Sequence, residues 1–175
     1  MAKKRNYEIE KKWNIASIPK IALRNPLYSN AFLKLLQLRG VASESAIDDF
    51  IDPKYSNLSD PFIIPDMDKA VNRIIKAVKD NEKIAIYGDY DVDGVTATSV
   101  LYYFFKTVLA DVITYIPSRV DEGYGLNNDA IKFLAETGVT LIITVDCGIT
   151  SFNEVIFAKK NKIDLVVTDH HSLFT

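Results

Sequence analysis

A chain of 175 residues, 48% hydrophobic and 25% charged, has the composition of a globular protein and excludes a disordered one; it suffices for one medium domain or part of a larger one. A net charge of −2 excludes a basic whole-chain surface, so any contact with nucleic acid must rest on a local site. A single cysteine, Cys147, excludes an internal disulfide, and no apolar run approaches the ~18 residues of a membrane span. The basic start, MAKKRNYEIEKKW, is followed by no apolar h-region; it reads as a solvated arm rather than a signal peptide, and a cytoplasmic location is expected.

The first 66 residues read as a helical lead-in. SNAFLKLLQLRG, 29–40, has Ser29 or Asn30 as cap and Gly40 as stop, and a second short helix over 43–51 ends before Pro53. Pro26, Pro53, Pro61 and Pro65 argue for a wrapped connector around these helices. Next, Met67, Ala70, Val71, Ile74, Ile75 and Val78 form a one-faced helical stripe with Asp66 placed to cap it. Strands and helices then alternate. Strands are predicted at 83–87, 111–117, 140–145 and 164–168, and helices at 95–109, 127–138 and 151–161, the last capped by Ser151. Short β-branched strands separated by helices imply an α/β fold: a parallel sheet flanked by helices, with every strand's C-terminal end on one edge. Ligands of such sheets bind outside that edge.

Three acidic clusters follow three of these strands: GDYDVDG at 88–94, DCG at 146–148 and DHH at 169–171. Asp89, Asp91, Asp93, Asp146, Asp169, His170 and His171 are therefore expected to converge. Five carboxylates in one small volume raise one another's pKa and destabilise the fold unless cations compensate them. Mixed Asp and His ligands suit Mn²⁺, Mg²⁺, Fe²⁺ or Zn²⁺, and two such ions roughly 3.5–4 Å apart serve phosphoryl transfer. Each cluster also has a plainer explanation. Asp-x-Asp-x-Asp-Gly opens calcium-binding EF-hand loops, but the glutamate those loops require is Val100 here, and the segment follows a strand rather than a helix. Asp93 could simply cap the 95–109 helix, and Asp-x-Gly often marks a turn after a strand. None of these accounts for three clusters in order, with both of the chain's histidines in the last. No activating partner is evident for Cys147 or the serines, so no nucleophilic side chain is expected.

GDYDVDG, DCG and DHH resemble the first three signature motifs of the DHH phosphoesterases. The closer likeness, over roughly residues 50–171, is to the RecJ-type single-strand exonucleases of that family. It runs from DPFIIPDMDKAV through IYGDYDVDGVTATSVLYYFF to LIITVDCGITS and VVTDHH, and SRxxEGYGLN, from Ser118 to Asn127, points most specifically to that branch. The resemblance implies that residues 67–175 form the N-terminal part of a DHH domain behind the 1–66 lead-in. It implies a two-metal Mn²⁺ or Mg²⁺ site and 5′→3′ hydrolysis of single-stranded DNA in repair and recombination. Asp89, Asp91, Asp93, Asp146 and His170 would be metal ligands, with Asp146 shared. His171 would act on the scissile phosphate, and Asp169 would orient a histidine. Arg119 would meet a DNA phosphate, unless it forms a surface salt bridge, and Tyr124 would stack on a base, unless it closes the core.

There are two departures from the family pattern. Many relatives carry histidine where this chain has Tyr87, which removes a possible nitrogen ligand. The family also continues past the position of Thr175 with a further metal-binding aspartate and a second domain that grips nucleic acid. The partners expected are thus single-stranded DNA and the missing C-terminal domains of the same protein, and this chain alone is expected to have little exonuclease activity. Two other readings stay open on the residues: a DHH phosphodiesterase acting on short RNA or cyclic dinucleotides, and a non-catalytic nucleic-acid-binding module of the same fold.

Overall fold

The computed structural model describes residues 26–172 together with Asn14, and the basic start read as a solvated arm lies outside the described residues. The chain divides into two compact units, one up to Asp60 and one from Pro61. In the first unit, α1 (Asn30–Leu38) and α2 (Glu44–Ile51) begin at serine caps. The hydroxyls of Ser29 and Ser43 accept from the amides of Phe32 and Ala46, satisfying donors that a helix start leaves free. Leu33, Leu36 and Ile47 form their common buried face.

The second unit contains α3 (Met67–Lys79), β1 (Lys83–Gly88), α4 (Val92–Thr107), β2 (Val112–Tyr115), α5 (Asn128–Glu136), β3 (Val139–Val145), α6 (Phe152–Lys160) and β4 (Asp164–Thr168). The strands make one parallel sheet in the order β2-β1-β3-β4. Alternation along the strands divides the core into two layers. Ala85, Tyr87 and Ile142 pack with Ile131 and Leu134 of α5 and Ala158 of α6, whereas Ile84, Ile86, Leu141 and Ile143 pack with Ala77 of α3 and Phe105 of α4. Because α4 leads from β1 outward to β2 and the chain then returns to β3, the connections leaving β1 and β3 diverge. This opens a crevice at their adjacent C-terminal ends.

The structure corrects three capping assignments. Helix α4 starts at Val92, and it is the Asp91 side chain that accepts from the Gly94 amide, at 3.0 Å; Asp93 lies exposed in the first turn. Asp66 precedes α3 in a left-handed conformation, φ 60°, and its carboxylate pairs with Lys69 instead of capping. Ser151 precedes α6 without making a side-chain capping bond. Gly94 has a separate reason to be glycine. A Cβ there would lie 2.5 Å from the carbonyl oxygen of Asp89, so its absence lets α4 start directly against the end of β1.

At the opposite edge of the sheet, Arg73 of α3 donates to both oxygens of Glu82, at 2.7 and 3.3 Å, and to Asp164 at 2.6 Å. The Thr140 hydroxyl donates to Glu82 as well, at 2.6 Å. This set ties α3, β3 and β4 together around a mostly buried carboxylate, its side chain 16% exposed. Arg73 and then Thr140 hold the Glu82 pKa down, from 4.5 to about 2. A depressed folded-state pKa means that the stabilisation is present above pH 4.5 and fades as pH falls toward 2. Glu82→Gln is expected to cost about 1–3 kcal/mol near neutral pH, with a much smaller gap from the native chain near about pH 3. Urea denaturation of both proteins at the two pH values checks this; a gap that does not narrow in acid would show that the charge of Glu82 is not what stabilises.

Candidate metal and phosphate site

The crevice between β1 and β3 collects most of the acidic residues picked out in the sequence. Asp89 follows β1, Asp146 follows β3 and Asp169 follows β4, and all three carboxylates are buried, with side chains or residues 2–8% exposed. Among the described residues, two groups offer ligand atoms within 4.8 Å of one another: Asp89, Asp91 and Asp146, and Asp146 with His170 and His171. Asp146 is common to both. Asp93 belongs to neither.

Two buried carboxylate oxygens, Asp89 Oδ1 and Asp146 Oδ1, accept no hydrogen bond. His170 Nε2 lies 2.9 Å from Asp146 Oδ1 but off the line of a hydrogen bond. A buried carboxylate oxygen left without a donor costs several kcal/mol by order of magnitude unless a cation faces it. The donor set, oxygens of three aspartates and nitrogens of two histidines with no thiolate, fits Mn²⁺ or Mg²⁺ better than a structural zinc centre.

Asp146 sits in the left-handed region, φ 63°, where residues other than glycine are uncommon and aspartate is tolerated. Its N–H donates to the Thr168 carbonyl at 3.0 Å and its C=O accepts from the Tyr124 hydroxyl at 3.2 Å, so both backbone groups are held. Asp169 accepts from the amides of Ile149 and His171, each at 3.0 Å, and lies 2.7 Å from His171 Nδ1. Burial alone would raise the Asp169 pKa, but the bonds from His171 and Ile149 outweigh it and hold the carboxyl below its ordinary value. The same pairing raises the His171 pKa. With Nδ1 donating to Asp169, Nε2 is the ring nitrogen left to bind.

Glu122 and Tyr90 were legible in the sequence only as members of a motif. The segment 118–127 is built around Glu122, which accepts from the Tyr115 hydroxyl, the Ser118 amide and the Asn127 side chain. These bonds, the one from Tyr115 foremost, hold Glu122 below its ordinary pKa. The segment presents Tyr124 and Arg119 beside the acidic groups. Tyr90, between the aspartates of the first cluster, receives both: the Arg119 guanidinium lies 5.2 Å from its ring centre and the Tyr124 ring meets it edge-on at 6.5 Å. Sequence reasoning passed over Tyr90, whose only signal was its place inside GDYDVDG. Arg119 makes no salt bridge among the described residues, and its guanidinium lies over the Tyr90 ring instead. Tyr124 is 55% exposed, with only its hydroxyl turned inward, and does not close the core.

Tyr87 is fully buried; its hydroxyl donates to the Gly125 carbonyl at 2.9 Å and its ring stacks on Tyr115. It supports segment 118–127 from below. Burial pushes the Cys147 thiol up to about 12, which favours the protonated form at neutral pH.

Residues 83–175 match the family model described as the DHH family, N-terminal domain. The chain is 44% identical over 137 residues to the single-stranded-DNA-specific exonuclease RecJ of Bacillus subtilis, covering 78% of this chain and 17% of that protein. It is 35% identical to RecJ of Haemophilus influenzae, covering 69% and 21%. The chain thus spans about a fifth of the length of these curated relatives. Among solved structures, an exonuclease RecJ bound to manganese superposes with a TM-score of 0.56 at 36% identity, over 59% of this chain and 27% of that one. RecJ from Thermus thermophilus in complex with Mn²⁺ gives 0.59 at 28% identity, over 78% and 18%. With more than half of its length matched by the family model and its acidic groups gathered at one sheet edge, this chain belongs to the DHH family.

Proposed function

We propose that this chain carries part of the active site of a cytoplasmic, metal-dependent exonuclease that degrades single-stranded DNA from the 5′ end, in repair and recombination. The observation that carries the reading is the pair of buried carboxylate oxygens, Asp89 Oδ1 and Asp146 Oδ1, that accept no hydrogen bond in the crevice between β1 and β3. The likeness to RecJ proteins, whose name states the single-stranded DNA substrate, supports the choice of substrate.

Asp89, Asp91 and Asp146 would hold one Mn²⁺ or Mg²⁺, and Asp146, His170 and His171 a second. When bound, such a pair supplies Lewis acidity and offsets charge on the phosphodiester. The protein's own groups hold the surroundings in place. Asp169 fixes the His171 ring, so that one nitrogen is committed to Asp169 and the other is available to metal or phosphate. Arg119, laid over Tyr90, offers a two-pronged donor to a phosphate, and the exposed ring of Tyr124 offers a surface for a base.

The chain with Mn²⁺ and end-labelled oligonucleotides of one sequence, as single-stranded DNA, duplex DNA and RNA, tests the reading. Metal-dependent preference for single-stranded DNA is expected; equal binding to all three, or binding indifferent to a chelator, would overturn it. In a full-length protein carrying this segment, Arg119→Ala is expected to weaken single-strand binding about tenfold, since one charge-assisted phosphate contact is lost. The melting temperature should move little, because a partly exposed cation–π contact contributes only ~0.5–1 kcal/mol. Anisotropy titration and a thermal melt check the pair. A clear stability loss with unchanged binding would make Arg119 a structural residue.

A further inference from the structure

We propose that the Tyr124 hydroxyl is a positioning group for the metal site, and that it couples the order of segment 118–127 to cation binding. The inference rests on the metal reading above and assigns a second role to a residue whose ring faces the substrate side. Among the described residues, Asp146 alone is common to both ligand groups. Its carboxylate reaches them from a left-handed backbone conformation uncommon for residues other than glycine. Such a conformation persists only when the surroundings over-determine it. On the amide side the Thr168 carbonyl does so, within the β3–β4 pairing. On the carbonyl side the partner is the Tyr124 hydroxyl, 22 residues earlier and on a different segment.

That hydroxyl is also 3.4 Å from His171 Nδ1, and the two rings meet edge-on at 6.2 Å. One phenol therefore touches the shared aspartate and a histidine of the second group. The contact is not a chance meeting of a loose loop. Gly123 and Gly125, at φ 79° and 83°, turn the chain on either side of Tyr124. Glu122 ties the segment to β2 and to the start of α5, and the Tyr87 hydroxyl holds the Gly125 carbonyl. The loop is thus fastened at both flanks of Tyr124, and its central hydroxyl is fastened to the metal-ligand cluster. By linkage, a cation that fixes Asp146 and His171 must stabilise the ordered loop as much as the ordered loop stabilises the cation.

Tyr124→Phe keeps the ring and removes only the hydroxyl. It is expected to lower Mn²⁺ affinity about tenfold by calorimetric titration, the range for loss of a group that orients a ligand, while the metal-free melting temperature stays unchanged. Hydrogen exchange adds a readout that a purely structural role would not move. Mn²⁺ should slow exchange across 118–127 in the native chain and not in Tyr124→Phe. Equal Mn²⁺ affinity in the two proteins overturns the inference and leaves the metal reading intact. A weaker affinity accompanied by a lower metal-free melting temperature assigns the hydroxyl to folding of the loop and also overturns it. If the native chain binds no Mn²⁺, the metal reading itself fails and the inference falls with it.

Discussion

Gly94→Ala is expected to destabilise the chain by about 3 kcal/mol or more and to weaken Mn²⁺ binding with it. Position 94 lies in the first turn of α4, where alanine is intrinsically the better residue by ~1 kcal/mol. Propensity alone would thus make the variant more stable. The close approach decides otherwise. The added Cβ would sit 2.5 Å from the Asp89 carbonyl oxygen and 2.7 Å from its carbonyl carbon and Cβ. Two of these neighbours are backbone atoms at the end of the central strand, so relief requires moving α4 away from β1. Any such movement separates Asp89 from Asp91, which caps α4 and shares a ligand group with it. Urea denaturation and calorimetric titration with Mn²⁺ measure the two effects. A variant as stable as the native chain would show that the helix start adjusts freely and that Gly94 does not set the site's geometry.

Asp146→Asn is expected to abolish the stabilisation that Mn²⁺ gives the native chain, while leaving the metal-free protein at least as stable. A cation at a hundred times its dissociation constant stabilises the state that binds it by about 2.7 kcal/mol, roughly 5–10 °C in melting temperature for a domain of this size. Asp146 belongs to both ligand groups, so its loss removes an anionic ligand from each. Asparagine tolerates the left-handed backbone at φ 63° at least as well as aspartate, so the change isolates the charge. Without metal, Asp89 Oδ1 and Asp146 Oδ1 accept no hydrogen bond, and neutralising one of the two carboxylates relieves their mutual repulsion. Thermal melts with and without Mn²⁺ give the answer. A rise in Asp146→Asn equal to the native one would mean that the cation binds elsewhere.

The alternation of short β-branched runs with helical segments was enough to read a parallel sheet from the sequence. It also showed that the clusters beginning at Asp89, Asp146 and Asp169 leave that sheet at one edge, because strand polarity is set once the crossovers are right-handed. Period and spacing carry that information locally. Strand order is not local. Only the fold shows that β1 and β3 are neighbours, which brings Asp89 and Asp146 into one group across 57 residues of chain. Helix starts are also decided in three dimensions. The spacing pointed to Asp93 as a possible cap of a helix from 95, but Gly94 lets α4 begin at Val92, which makes Asp91 the cap and turns Asp93 to solvent. Tyr87 could be read only as a missing histidine. Buried beneath segment 118–127, its hydroxyl has a carbonyl partner and serves as support. Tyr90, Arg119 and Tyr124 carry no periodicity at all. Their meeting over the acidic groups depends on a loop held by Glu122, and hydrogen bonds between residues distant in sequence leave no trace in the pattern of a single chain.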